Sequence, residues 1–157
     1  MARILAYTSP ARGHLYPLTP ILDELRRRGH DIALRTLASQ VATMRARGFN
    51  AHPVDARIET IEHDDWRARN QLQAIRRTVQ TFCARAEYDA ADLRQAIADE
   101  QPDALLVDIS CWGGLTVAEA WDGPWASFCP YPLPLQSRDT TVRAGIRTRS
   151  RPPGPVS

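Results

Sequence analysis

This sequence predicts an α/β fold built on one doubly wound parallel sheet flanked by helices, and three observations predict it. Short apolar runs alternate with helix-length amphipathic stretches in the order β-α-β-α-β-α-β-α-β. The first run, Ile4-Leu5-Ala6-Tyr7, stops at the loop Thr8-Ser9-Pro10-Ala11-Arg12-Gly13-His14, and a helix pattern follows at once. The strongest buried-strand signal, Asp103-Ala104-Leu105-Leu106-Val107-Asp108, also ends in polar residues. The carboxyl ends of strands are where open α/β sheets bind ligands.

The elements follow in order. Leu15, Leu18, Leu22 and Leu25 recur at three- and four-residue steps, with Asp23, Glu24, Arg26, Arg27 and Arg28 mostly on the other face of a first helix. Pro17 falls in the first turn, where its missing N–H costs nothing; Pro20 lies deeper and is expected to make that turn irregular. Gly29 closes the helix and Asp31 to Leu37 reads as a second strand, so residues 3–37 form a right-handed parallel crossover. Ser39 is the expected cap of a short helix through Arg47 that carries Val41, Ala42 and Met44, and Gly48 stops it. Phe49 to Val54 gives a third strand, which Pro53 places at an edge or a strand end.

Residues 55–66 are polar and read as irregular. A long helical pattern runs from Arg67 to Glu100, with a break expected near Tyr88-Asp89. Leu72, Ile75, Val79, Phe82 and Ala86 mark one apolar face there, and Leu93 and Ile97 another. After the Asp103–Asp108 strand, Gly113 and Gly114 introduce a helix through Leu115, Val117, Ala118 and Trp121, and Pro124 to Cys129 is the fifth strand. No internal repeat is visible. From Thr140 on, Arg, Thr, Gly, Pro and Ser show neither period, and disorder is expected.

At 157 residues, 43% hydrophobic and 24% charged, the composition is that of one globular domain with a real core. No apolar run approaches the roughly 20 residues of a membrane helix, and the N-terminal apolar run is too short for a signal-peptide core. Cys83, Cys111 and Cys129 are widely spaced and suit reduced thiols, so a cytoplasmic location is expected. The formal charge of +2 comes from the end of the chain, where residues 140–157 hold Arg143, Arg147, Arg149 and Arg151 and no acid. All twenty basic residues are Arg. The rest of the chain is mildly acidic, which argues against a nucleic-acid binder.

In a sheet of order 3-2-1-4-5 the first and fourth strands are neighbours at the topological switch point. That order puts His14 and Asp108 on one rim. A carboxylate beside an imidazole orients it and stabilises its protonated form, which makes a general base for an alcohol or phenol. The same residue types also serve as plain caps at helix starts, so residue types alone leave both readings open. His30 sits at a helix end, and His52 and His63 read as loop residues. His63-Asp64-Asp65 matches no standard metal spacing, and no metal site is expected. The first loop lacks the G-x-G-x-x-G of a nicotinamide or flavin site, and no resident cofactor is expected.

Arg3-Ile4-Leu5 through Ser9, Gly13-His14, Pro17-Leu18, the Leu22 to Arg28 helix and Arg28-Gly29-His30-Asp31 together resemble the opening of GT-B glycosyltransferases. Pro102-Asp103 with Asp108, and Gly123-Pro124 leading into Trp125 to Cys129, resemble later strands of the same group. The likeness is to the UDP-glycosyltransferase superfamily, in its bacterial macrolide and natural-product branch. It covers residues 1 to about 138, as a Rossmann-like N-terminal, acceptor-binding domain, with 139–157 as an Arg/Pro-rich tail.

The resemblance implies inverting transfer of a sugar from a nucleotide-sugar donor to the hydroxyl of a small hydrophobic acceptor. It implies His14 as general base, Asp108 as its partner, and an acceptor pocket drawn from Trp66, Phe82, Ser110, Trp112 and Tyr131, with Gly13 near the donor. Tyr16 stands where the family often has Asn. The family's second, donor-binding domain with its His-x-Gly segment has no counterpart here, so this chain alone is expected to be inactive and to need a complementing C-terminal domain or self-association. A shifted reading frame, a natural half-protein and a deliberate truncation all fit the change of composition near Thr140. Two further readings stand beside this one: a non-catalytic partner protein reusing the fold, and a small nucleotide-binding protein of flavodoxin type. The latter is disfavoured by the lack of a phosphate-cradling first loop.

Overall fold

Strand-forming runs of three to five apolar residues and the crossovers between them leave few ways to pack this chain. The computed structural model, which describes residues 1–131, adopts one of them. Strands β1 (Arg3–Tyr7), β2 (Asp31–Thr36), β3 (Asn50–Pro53), β4 (Ala104–Asp108) and β5 (Trp125–Phe128) form one parallel sheet in the order β3-β2-β1-β4-β5. The register pairs Leu5 with Ala33 on one side and with Leu105 on the other. β1 and β4 are therefore neighbours at the switch point, as the sequence predicts.

Alternation along the strands feeds two cores. Leu5, Tyr7, Ala33, Leu105 and Val107 face helices α3 (Ala56–Thr60), α4 (Gln71–Glu100) and α5 (Trp112–Glu119) through Ile58, Leu93, Ala96, Val117 and Ala118. Ala6, Ile32 and Leu34 face α1 (Arg12–Arg27) and α2 (Ala38–Ala46) through Leu15, Leu18, Leu22, Val41 and Met44. Layers on both faces make the sheet doubly wound. Gly29 and Gly48 end α1 and α2 at φ +87° and +88°, where a side chain would be strained.

Several elements differ from expectation. Pro20 leaves α1 unbroken, because it and Tyr16 lie on the exposed face, where the Tyr16 carbonyl that loses its donor meets water. Helix α2 starts at Ala38, and Ser39 does not cap it. The donor at Ala38 is met from a distance by Glu59 Oε1 at 2.6 Å. The polar stretch after β3 is not wholly irregular: Asp55 accepts the Arg57 N–H at 2.8 Å and starts α3, and a 3₁₀ turn spans Asp65–Arg67. The long helix begins at Gln71, capped by Asn70, and runs 30 residues without a break. No Gly or Pro interrupts it, and Ala86 and Leu93, seven residues apart, lie on one face. Its leading apolar residues Leu72, Ile75 and Val79 are exposed. The expected domain end at 138 and the tail 139–157 lie outside the described residues.

Candidate functional site

The rim at the carboxyl ends of β1 and β4 is built by short-range bonding. Thr8 follows β1, and its hydroxyl bonds the Arg35 carbonyl and the Thr36 hydroxyl, which fixes the chain as it leaves the sheet. Ala11 is the helix N-cap and offers no side-chain acceptor, so α1 opens with uncapped backbone donors beside His14. On the neighbouring strand, Asp108 ends β4 and accepts the Ser110 N–H through Oδ1 at 2.8 Å.

His14 Nδ1 and Asp108 Oδ2 are 2.7 Å apart, 94 residues distant in sequence. Asp108 is wholly buried, while the imidazole keeps about a fifth of its surface open. A carboxylate can only accept, so Nδ1–H donates, and in the neutral ring that leaves the lone pair on Nε2. With both Asp108 oxygens engaged, the ring is held in one tautomer and one orientation. Neither side chain caps a helix; the Asp108 bond to Ser110 closes a turn ahead of α5.

His14 opens into a cleft of about 520 Å³, with Asp108 buried behind it. Its floor near the pair is Ser9, Pro10, Ala11 and Ser110; Phe82, Tyr131 and Thr78 give the less polar wall; Glu59, Glu62, His63 and Asp65 give an acidic rim. The Tyr131 ring meets His14 edge-on at 6.3 Å. Phe82 packs between His63 at 5.6 Å and Trp112 at 5.4 Å. Of the residues singled out in the sequence, His14, Ser110, Phe82 and Tyr131 line this cleft, and Trp112 buttresses it from behind Phe82. Gly13 sits on open helix surface, with no heavy atom within 4 Å of a Cβ built there. Trp66 is not brought to the cleft. It lies in the Asp65–Arg67 turn, which points it to solvent at 69% exposure with the Arg67 guanidinium stacked on its ring at 4.7 Å.

Sequence reasoning passed over Arg85 and Asp89, and read His63 only as a loop residue. The signal for the first two was a polar stripe at helical spacing: Thr81, Arg85 and Asp89 recur every four residues and lead into the apolar Leu93 on the buried face of α4. Arg85 lines the cleft and bonds the Ile61 carbonyl through Nε at 3.0 Å and through Nη2, which ties α4 to the segment carrying the acidic rim. Burial pushes its pKa down, and Asp89 opposes that. Below the sheet end, Tyr7 donates to Asp92 Oδ2 at 2.9 Å. Burial raises the Asp92 carboxyl above the usual range. His63 Nε2 is 3.0 Å from the Thr78 hydroxyl, so this loop histidine is anchored in the cleft wall.

The fold is that of the N-terminal half of GT-B glycosyltransferases. It matches the solved structure of SsfS6, a glycosyltransferase of Streptomyces sp. SF2575, with TM-score 0.67 at 18% identity over 82% of this chain and 39% of that one. It also matches the calicheamicin glycosyltransferase CalG4 with TM-score 0.62 at 26% identity, over 82% and 32%. The spinosyn rhamnosyltransferase SpnG matches with TM-score 0.63 at 20% identity, over 82% and 35%. This chain thus spans between about a third and two fifths of the length of these three structures. SsfS6 and SpnG have also been solved complexed with thymidine diphosphate. No family model and no curated protein matches the sequence. Among the described residues, no helix is long and apolar enough to cross a membrane.

Proposed function

We propose that this chain is the acceptor-binding half of a glycosyltransferase, with His14 as the general base and Asp108 as the group that orients it. The observation that carries the reading is the 2.7 Å contact of His14 with a buried carboxylate at the switch point, facing a cleft with an aromatic wall. An acceptor bearing an alcohol or phenol lies against Phe82 and Tyr131 with its hydroxyl toward His14 Nε2. As Nε2 takes the proton, the hydroxyl oxygen bonds to the anomeric carbon of the sugar. The bond from that carbon to the nucleoside diphosphate breaks on the opposite face, inverting the centre. Asp108 then faces an imidazolium and stabilises it. The residues here supply the acceptor side. The nucleotide sugar is held by a donor-binding domain, which residues 1–157 do not supply, so these residues by themselves do not turn over.

The test has two arms. Incubating the chain with common nucleotide sugars and a phenolic acceptor gives no transfer, while NMR shows the acceptor perturbing His14, Phe82 and Tyr131. Joining the chain to the donor half of one of the matched glycosyltransferases then yields transfer that His14→Ala lowers by about 10² to 10⁴-fold. Transfer indifferent to His14→Ala, or acceptors that perturb no cleft residue, would refute the reading.

A further inference from the structure

A buried arginine lines the cleft without a counter-charge, and the proton transfer proposed above does not use it. Arg85 is 8% exposed, shares the cleft with His14, and forms no ion pair among the described residues. The Ile61 carbonyl takes its Nε–H and one N–H of Nη2. A guanidinium has five N–H donors, so with those two engaged three are left: both on Nη1 and the second on Nη2. Nη1 makes no hydrogen bond among the described residues, and it is not sealed inside the protein as Arg35 Nε and Asp89 Oδ2 are. Its donors therefore reach free space, and the free space that Arg85 lines is the cleft. One free donor on each terminal nitrogen lies along the end of the planar group, and the two are parallel, at the spacing of the two oxygens of a carboxylate.

We propose that the end of the Arg85 guanidinium is a subsite for a carboxylate of the acceptor, which is then an aromatic acid with its hydroxyl at His14 and its carboxylate at Arg85. The proposal rests on the reading of the cleft as the acceptor site. A cation taken out of water needs an opposite charge or a full set of acceptors, and the described residues give this one neither. Asp89, one turn further along α4, acts on it most, but burial raises that carboxyl to about 7, so at neutral pH it supplies only part of a negative charge. A bound carboxylate completes the pair, and the fixed fork sets the direction in which the ring of the acceptor enters.

The acidic rim narrows the choice of ligand rather than opposing it. Glu59 Oε1 is occupied by the Ala38 N–H, Asp65 Oδ1 stands 3.7 Å from His63 Nε2, and Glu62 is exposed to water and screened by salt. Together they repel a small anion that arrives alone. An anion carried on a ring is held by Phe82 and Tyr131 as it passes them.

NMR titration of the full chain with para-hydroxybenzoate and with its methyl ester tests this. The acid should bind about tenfold or more tightly than the ester, and it should shift the Arg85 Nε–H resonance together with His14 and Tyr131. Arg85→Gln should bring acid and ester to within about twofold of each other, and Arg85→Lys, which keeps the charge but not the paired donors, should retain part of the preference. Acid and ester binding equally in the wild-type cleft would overturn the proposal even if neither variant folds, and would leave the acceptor reading intact. A preference for the acid that survives in folded Arg85→Gln would overturn it as well, because the carboxylate would then sit elsewhere. If neither ligand shifts a cleft residue, the subsite and the acceptor reading fall together. Transfer in the joined protein that is indifferent to His14→Ala would count against the proposed base alone, and a preference lost with Arg85 would still establish the subsite.

Discussion

Gly113 gives the sharpest test of the packing that positions the site. A methyl group there would stand 1.7 Å from the Ala86 oxygen, 2.6 Å from its carbon and 2.9 Å from the Ala90 nitrogen. All three are helix backbone and cannot swing aside, so α5 must withdraw from α4 by more than about 1.5 Å to reach ordinary contact. That movement loosens Val117 and Ala118 from Leu93 and Ala96 in one core. Overpacking against rigid backbone costs about 3 kcal/mol or more, and the gain in helix propensity returns about 1 kcal/mol. The net loss of about 2 to 3 kcal/mol lowers the melting temperature by about 4 to 12 °C for a chain of this size. Gly13→Ala is the control: its Cβ meets nothing within 4 Å, so it gains up to about 1 kcal/mol from helix propensity alone. Circular dichroism melts at 222 nm distinguish the two. Gly113→Ala melting within a degree of wild type would show that α4 and α5 do not cross as closely as described.

Three more expectations are open to measurement. Asp89 and Asp92 have raised carboxyl pKa values, so the folded chain holds their protons more tightly than the unfolded one. Their stabilisation is complete below the ordinary carboxylate range and is lost as pH rises; for Asp89 the change from 3.8 to about 7 bounds this at about 4 kcal/mol. Urea midpoints compared at pH 5 and pH 8 should show Asp89→Asn gaining on wild type at the higher pH, and an unchanged difference would contradict this. Tyr7→Phe removes the buried hydroxyl from Asp92 and should cost about 1 to 2 kcal/mol in the same assay; a neutral effect would mean water replaces the hydroxyl. Glu59→Ala removes the acceptor for Ala38 and should cost about 1 kcal/mol, with faster hydrogen exchange confined to the first turn of α2. Uniform exchange along the chain would argue against the cap.

The sheet order was legible because its evidence is local: each apolar run carries its own turn residues, and parallel crossovers have one hand. That order put His14 and Asp108 on one rim, and the resemblance named Asp108 as the partner of His14. Ser39 misled because an N-cap can be supplied by a carboxylate 21 residues away, and no local pattern records Glu59 reaching Ala38. The break expected at Tyr88-Asp89 came from following apolar residues only, whereas the buried stripe of α4 runs through Thr81, Arg85 and Asp89. The same habit grouped Leu72, Ile75 and Val79 into an apolar face that the fold leaves exposed. Trp66 was chosen for its ring, but which way a short 3₁₀ turn points a side chain is decided by the loops around it.

The contact between His14 and Asp108 closes a chain segment of 94 residues. Bringing such ends together costs about 4 kcal/mol of chain entropy, while a charge-assisted hydrogen bond contributes at most about 3 kcal/mol. The pair therefore cannot assemble itself; the ladder between β1 and β4 must draw the ends together first. During synthesis at about 5 to 20 residues per second, the histidine waits roughly 5 to 20 seconds for its aspartate to be made. Until β4 is threaded beside β1, the imidazole has nothing to fix its tautomer. In this protein the completed crossover and the oriented imidazole are a single event, so the tautomeric state of one ring reports whether the sheet has closed.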